Sequence, residues 1–251
     1  MKRFVCIALI SVLSFALMAQ GLELPKIERG GEIVVVHTGH TLSYNPKCLI
    51  PDWVAYELDA SKLIGEAQRR KSFSPDPSPV LKRYAQAEHY DYTHSGWSRG
   101  HMLPAGDSKF SQTVMDESFY MTNVCPMEPS FNNGPWRRLE EKVRKWAVEY
   151  GTVYVIVGAI VGNNRHGKVG DSGVVIPDLY YKAALVPYKG SYLTVAFVMP
   201  NEATEKRKLN EYALPVDKLE KIIGRTLFYG LSQSTSRRIK PYLPLKELGL
   251  Y

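Results

Sequence analysis

Apolar and polar positions follow two periods along this chain. Runs rich in Val, Ile, Tyr and Phe at residues 33–36, 53–58, 119–121, 153–157, 180–186 and 192–198 are bounded by Gly, Pro and Asn, which predicts strands. A helical period begins at Pro135. Trp136, Leu139, Val143, Trp146, Ala147 and Tyr150 recur every three or four residues, while Arg137, Arg138, Glu141, Lys142 and Lys145 fall mainly on the other side. Proline suits a first helical position, where its missing N–H has no partner to lose, and Gly151 stops the pattern. A second helix is predicted from Asp217 to about Ile223, and a shorter one over residues 108–116. Strands before, between and after helices predict an α+β domain with a mixed or antiparallel central sheet flanked by helices.

The first residues stand apart from these periods. Lys2 and Arg3 precede an apolar run from Val5 to Met18, with small residues at Ala19 and Gly21. That is the pattern of a secretory signal peptide over residues 1–21, so a secreted or periplasmic location is expected. No later run approaches the length of a membrane span, and residues 22–251 are expected to form a single domain without a membrane segment. The Pro/Ser-rich stretch at residues 72–79 reads as a surface loop, because strong patterns resume on either side.

Without Lys2 and Arg3, 30 basic residues face 25 acidic ones. The excess suits a polyanionic partner but does not single one out. Two cysteines remain, Cys48 and Cys125, and spacing leaves their pairing open. They form no Cys-x-x-Cys unit. The chain also lacks a His-Glu-x-x-His helix, a Gly-x-Ser-x-Gly elbow and a Walker-type phosphate loop, so zinc-peptidase, serine-hydrolase and nucleotide-hydrolase readings have no support.

Candidate chemistry gathers in Ser98-Arg99-Gly100-His101, read as a glycine-containing turn, and in the stretch from Asn132 to Glu140. An imidazole at residue 101 can take a proton from water near neutral pH. Asn132 precedes the helix, and Glu140 lies eight residues on, a little over two turns, at the edge of the buried stripe. A neutral amide oxygen with one carboxylate and retained waters is a donor set that Mg²⁺ accepts. The bland readings are a turn residue and a surface ion pair. Asn123 is expected either to orient His101 or to satisfy a turn. Arg144 is expected either to pair with Glu140 or to contact phosphate, and Arg69, Arg70 and Lys71 either to steer a phosphate backbone or to be a solvated run.

These segments resemble the DNA/RNA non-specific endonucleases, which are ββα-metal (His-Me finger) nucleases. The likeness begins near His37-Thr38-Gly39-His40, continues through Trp53-Val54-Ala55-Tyr56, peaks between Ser98 and Glu140, and extends to residues 153–158. It implies His101 as general base, Arg99 as a phosphate-facing residue and Asn123 as a supporting asparagine. It implies Asn132 as the metal ligand and Glu140 as holder of the metal's water shell, with Arg70, by a less clean match, on the substrate. The implied cofactor is Mg²⁺, with Mn²⁺ as an alternative, and the implied substrates are DNA and RNA. Ser98 departs from the family's aspartate, which keeps open a weakened relative that binds nucleic acid without cutting it. A phosphodiesterase acting on small substrates is the other alternative. Oligomeric state is not legible.

Overall fold

The computed structural model describes residues 21–28, 31–203 and 207–251. All but the last residue of the expected signal peptide therefore lies outside the described residues. The strands are β1 (Ile33–Val36), β2 (Thr41–Asn45), β3 (Ile50–Asp59), β4 (Ser98–His101), β5 (Val124–Met127), β6 (Thr152–Ile160), β7 (Lys168–Val169), β8 (Val174–Val175), β9 (Leu179–Tyr188), β10 (Ser191–Pro200) and β11 (Ala213–Leu214). The helices are α1 (Gln112–Ser118), the single turn α2 (Pro129–Phe131), α3 (Arg137–Tyr150), α4 (Val216–Ile223) and α5 (Gln233–Ile239).

Seven strands make one sheet in the order β1-β2-β3-β6-β9-β10-β11, antiparallel throughout. Strand alternation sends neighbouring residues to opposite faces. Val153, Val155 and Val157 on β6, with Tyr180, Ala184 and Val186 on β9, join the larger core with Trp136, Leu139 and Val143 of the α3 region. Ile156, Tyr181, Ala183 and Leu185 face the other way, onto Val216 and Leu219 of α4 and Ile239 of α5. Helices thus cover both faces of the sheet, as an α+β layer arrangement requires.

A separate two-stranded ladder, β4 with β5, carries the candidate residues. Ser98 pairs with Met127, and His101 with Val124. The Ser98–His101 stretch is therefore a strand, not the expected turn. The strand expected at residues 119–121 is also corrected. Phe119 caps the C-terminus of α1, and Met121–Asn123 form a 3₁₀ turn that leads into β5. Phe119 is apolar because it packs with Ala105 and Met115 in a small satellite core, not because it alternates across a sheet. The shorter helix starts later than its expected span, at Gln112. Ser111 caps it, its hydroxyl accepting from the Val114 N–H at 3.4 Å.

Helix α3 buries Leu139, Val143, Trp146 and Ala147, as the period predicts, and ends at Gly151, whose φ of 87° only glycine adopts without strain. Pro135 lies just before it, in a wide turn over Asn132–Trp136 where Gly134 has non-helical φ and ψ. Cys48 and Cys125 are both free thiols. Among the described residues, no helix is long and apolar enough to cross a membrane.

Candidate active site

Arg99 and His101 sit two apart on β4, so their side chains share one face, and Ser98 and Gly100 share the other. A β-carbon at Gly100 would collide with the Met127 side chain, so the ladder closes only on glycine here. The Ser98 side chain is on this same face, away from His101.

His101 is held by aromatic contacts rather than hydrogen bonds. Its ring lies 5.1 Å from Phe73 and edge-on to Phe119 at 4.9 Å. The Nε2 atom is shielded from solvent and has no protein partner. Burial, reinforced by the positive charge of Arg69, pushes the His101 pKa down to about 3, so the imidazole is neutral at physiological pH. Phe73 is fixed through the loop that follows it. The Asp76 carboxylate accepts from His37 Nε2 at 2.9 Å and from Thr122 Oγ1 at 2.7 Å.

Asn123 is fully buried. Its Oδ1 accepts from the Leu103 N–H at 2.8 Å, and its Nδ2 donates to the carbonyls of Leu103 (3.0 Å) and Ser118 (2.8 Å). All its bonds go to backbone. The expected catalytic place for Asn123 is corrected to that of a brace, because the amide has neither exposure nor a free group to offer a substrate.

Arg99 donates from Nη2 to the His89 carbonyl at 2.5 Å and to Thr93 Oγ1 at 3.2 Å, while its guanidinium lies 5.5 Å from the Tyr92 ring and 5.9 Å from Phe73. Its Nε–H is left without a partner. Arg70 Nη1 reaches only Ser74 Oγ, at 3.3 Å. The neighbouring Arg69 is the one that matters to His101: it is exposed, sits 5.5 Å over the Phe119 ring, and acts electrostatically on the imidazole. The basic run Arg69-Arg70-Lys71 signalled this position without saying which residue faces the site.

Asn132 follows α2, whose start is fixed by Glu128. That carboxylate accepts from the Phe131 N–H and Ser130 Oγ, both at 2.6 Å. The buried Asn201 anchors the same place, accepting from the Glu128 N–H at 2.9 Å and donating to Pro126 and Pro177 carbonyls. Below the turn, Phe131 and Trp136 each pack 5.7 Å from the Tyr180 ring.

Glu140 lies eight residues on, among charges. Arg144 Nη1 donates to Asp107 Oδ1 at 2.7 Å, so the expected pairing of Arg144 with Glu140, or its use on substrate, gives way to an ion pair with a fully buried carboxylate. Asp107 also accepts from Tyr56 OH at 3.4 Å. Burial, against the opposing pull of Lys182, raises the Glu140 pKa to about 7. The Asp107–Arg144 pair ties the segment after His101 to α3, and the β4–β5 ladder ties His101 to the segment before Asn132. The β4–β5 ladder and α3 thereby pack into the same core on one face of the sheet.

The donor chemistry fits a hard cation. Among the described residues no group of three or more His, Cys, Asp or Glu side chains could hold a metal ion, which is not the donor set of a closed zinc site. One amide oxygen and one carboxylate suit a cation that keeps most of its water.

The sequence pattern of the DNA/RNA non-specific endonucleases matches residues 22–234. The chain belongs to that family. The chain is 34% identical to human Nuclease EXOG, mitochondrial, over 80% of its own length and 58% of the relative. It is 33% identical to Nuclease C1 of Cunninghamella echinulata var. echinulata, over 78% and 82% of the two chains. The chain thus spans about three fifths of the length of the EXOG relative. A crystal structure of the EndoG/EndoGI complex superposes with a TM-score of 0.74 at 25% identity, covering 82% of this chain and 89% of that one. The α+β fold agrees with that of this neighbour, and metal dependence is general in the family.

The same comparisons correct the expected location. EXOG, human Endonuclease G and a Saccharomyces cerevisiae relative are all named as mitochondrial, which points to a mitochondrial rather than a secreted or periplasmic place.

Proposed function

We propose that this endonuclease hydrolyses phosphodiester bonds in DNA and RNA without strong sequence preference, using a divalent cation. The observation that carries the reading is His101: a neutral imidazole held by aromatic rings, with no hydrogen-bonded protein partner, on the same strand face as Arg99. His101 accepts a proton from the attacking water. Arg99 is oriented by His89, Thr93 and two aromatic rings, and its guanidinium is the group that would meet a phosphate oxygen. Arg69 adds a mobile positive charge at the mouth of the site. Arg70 is assigned to the substrate backbone more remotely, beside Ser74.

Asn132 and Glu140 are the residues that would hold the cation, Asn132 directly and Glu140 through its waters. Mg²⁺, or Mn²⁺ in its place, would supply electrostatic stabilisation of the charge that develops on the phosphate and the leaving oxygen. Lysine and arginine contacts to the backbone make affinity fall as salt rises.

The test is digestion of plasmid DNA and of RNA by purified protein, with Mg²⁺, Mn²⁺ or EDTA, beside His101→Ala. Cutting that needs the cation and disappears in the variant is expected. Digestion untouched by EDTA, or undiminished in His101→Ala, overturns the assignment.

A further inference from the structure

Strand β9 places a lysine where its pattern calls for an apolar residue. Tyr180, Lys182, Ala184 and Val186 alternate onto the face that packs beneath the α3 region, and Lys182 is only 1% exposed there. Its Nζ has no hydrogen-bond acceptor. It lies 4.6 Å from the centroid of the Trp136 ring. A buried ammonium without an acceptor is costly unless a counter-charge stands close by. Glu140 stands four residues after Trp136, one turn along the same side of the α3 region, and its charge acts on Lys182 ahead of that of Asp107, whose carboxylate is already engaged by Arg144. Trp136 is the last residue of the Asn132–Trp136 turn. One side chain therefore reaches both elements that carry the oxygen donors: Glu140 through charge, and the turn of Asn132 through the indole above it.

We infer that Lys182 is a positioning residue for the divalent-cation site, holding the Glu140 carboxylate toward the cation and bracing from below the turn that presents Asn132. This rests on the metal-binding reading above. Arg144 explains why an opposing charge is needed. It stands four residues after Glu140 on α3 and is the next cation felt by that carboxylate. Without Lys182, Glu140 is drawn toward Arg144, in competition with Asp107 and away from the cation. Methionine at position 182 keeps the volume and the contact with Trp136 but removes the charge, so it isolates this effect from packing.

The experiment is a Mg²⁺ titration of the protein without nucleic acid, by calorimetry, together with kcat and KM at a range of Mg²⁺ concentrations. Lys182→Met is expected to need on the order of tenfold more Mg²⁺ for half-saturation, the scale typical of groups that orient metal ligands. KM for DNA at saturating Mg²⁺ should change little, and Lys182→Arg should recover part of the loss. In a double-mutant cycle, Lys182→Met made in a Glu140→Gln background should cost little further Mg²⁺ affinity. Lys182→Met with parental or tighter Mg²⁺ binding overturns the inference. So does a loss of equal size with and without Glu140. A parent protein that binds no Mg²⁺ and digests DNA in EDTA sinks the metal-binding reading itself, a separate outcome. Should Lys182→Met fail to fold, the same titration on Lys182→Gln, which also removes the charge, decides: Mg²⁺ affinity between parent and Glu140→Gln supports the role, and affinity equal to the parent's overturns it.

Discussion

Asp107 and Arg144 form an ion pair at 2.7 Å that fastens the segment following His101 to the helix that carries Glu140. The carboxylate is fully buried and the guanidinium is about a quarter exposed. Removing one partner of such a pair strands the other charge, so Asp107→Ala should cost about 3 kcal/mol of folding stability. Urea denaturation measures it. In a double-mutant cycle with Arg144→Ala, the two losses should fall well short of adding. Full additivity would mean that the pair does not couple the two elements.

Asn123 makes three hydrogen bonds to backbone and none to a group in the site. Asn123→Ala leaves a buried N–H and two buried carbonyls without partners, a loss of about 3 kcal/mol or more. The expected signature is a lower melting temperature with cutting retained at low temperature. A fully folded, inactive variant of normal melting temperature would return Asn123 to the chemistry.

Two buried histidines set a limit on acid stability. Burial pushes His101 down to about 3. His40 is pushed to about the same value by burial and the neighbouring His37, against the opposing charge of Asp76. An unfolded histidine takes up its proton near 6.5, so below that pH the unfolded chain binds protons that the folded one refuses. The stability contributed by each neutral ring is fully present above about 6.5 and falls by about 1.4 kcal/mol per pH unit until about 3. Denaturation curves between pH 4 and 7 should show this slope, and His101→Ala should reduce it. An unchanged slope in that variant would mean that His101 titrates like a solvated ring.

Glu140 has the opposite sign. Its pKa is raised to about 7, chiefly by burial, so it becomes protonated as the pH falls through neutrality. A protonated carboxyl is a poor holder of a hydrated cation, and Mg²⁺ must then compete with the proton. The Mg²⁺ concentration for half-maximal cutting should rise steeply from pH 8 to pH 6, and Glu140→Gln should abolish that dependence while weakening binding at every pH. A half-saturation point independent of pH in the parent protein would contradict it.

The α+β class, the long strands and α3 were legible because alternation and helical spacing are enforced by burial on one face. The places of Asn132, ahead of α3, and of Glu140, on it, were legible with them. What the sequence hid was set by contacts between distant segments. Phe119 reads as part of a strand because its apolar character says only that it is buried, not against what. Arg144 looked free for Glu140 or phosphate, since nothing local reveals that Asp107, thirty-seven residues earlier, is its partner. Asn123 looked like site chemistry because an asparagine that ties loops together has the same letter as one that binds substrate. Lys182 could not be flagged as a charge inside the core before its strand was known to be covered by α3.

The ladder that bears His101 shares no backbone pairing with the seven-stranded sheet. Its polar attachment runs instead through side chains: Tyr180 of β9 and the buried Asn201 just after β10 both donate to the Pro126 carbonyl of β5. Amide protons in β4 and β5 should therefore exchange with solvent at an opening energy below that of global unfolding, while β6 and β9 remain protected. Heat or denaturant would then silence the enzyme before the scaffold melts.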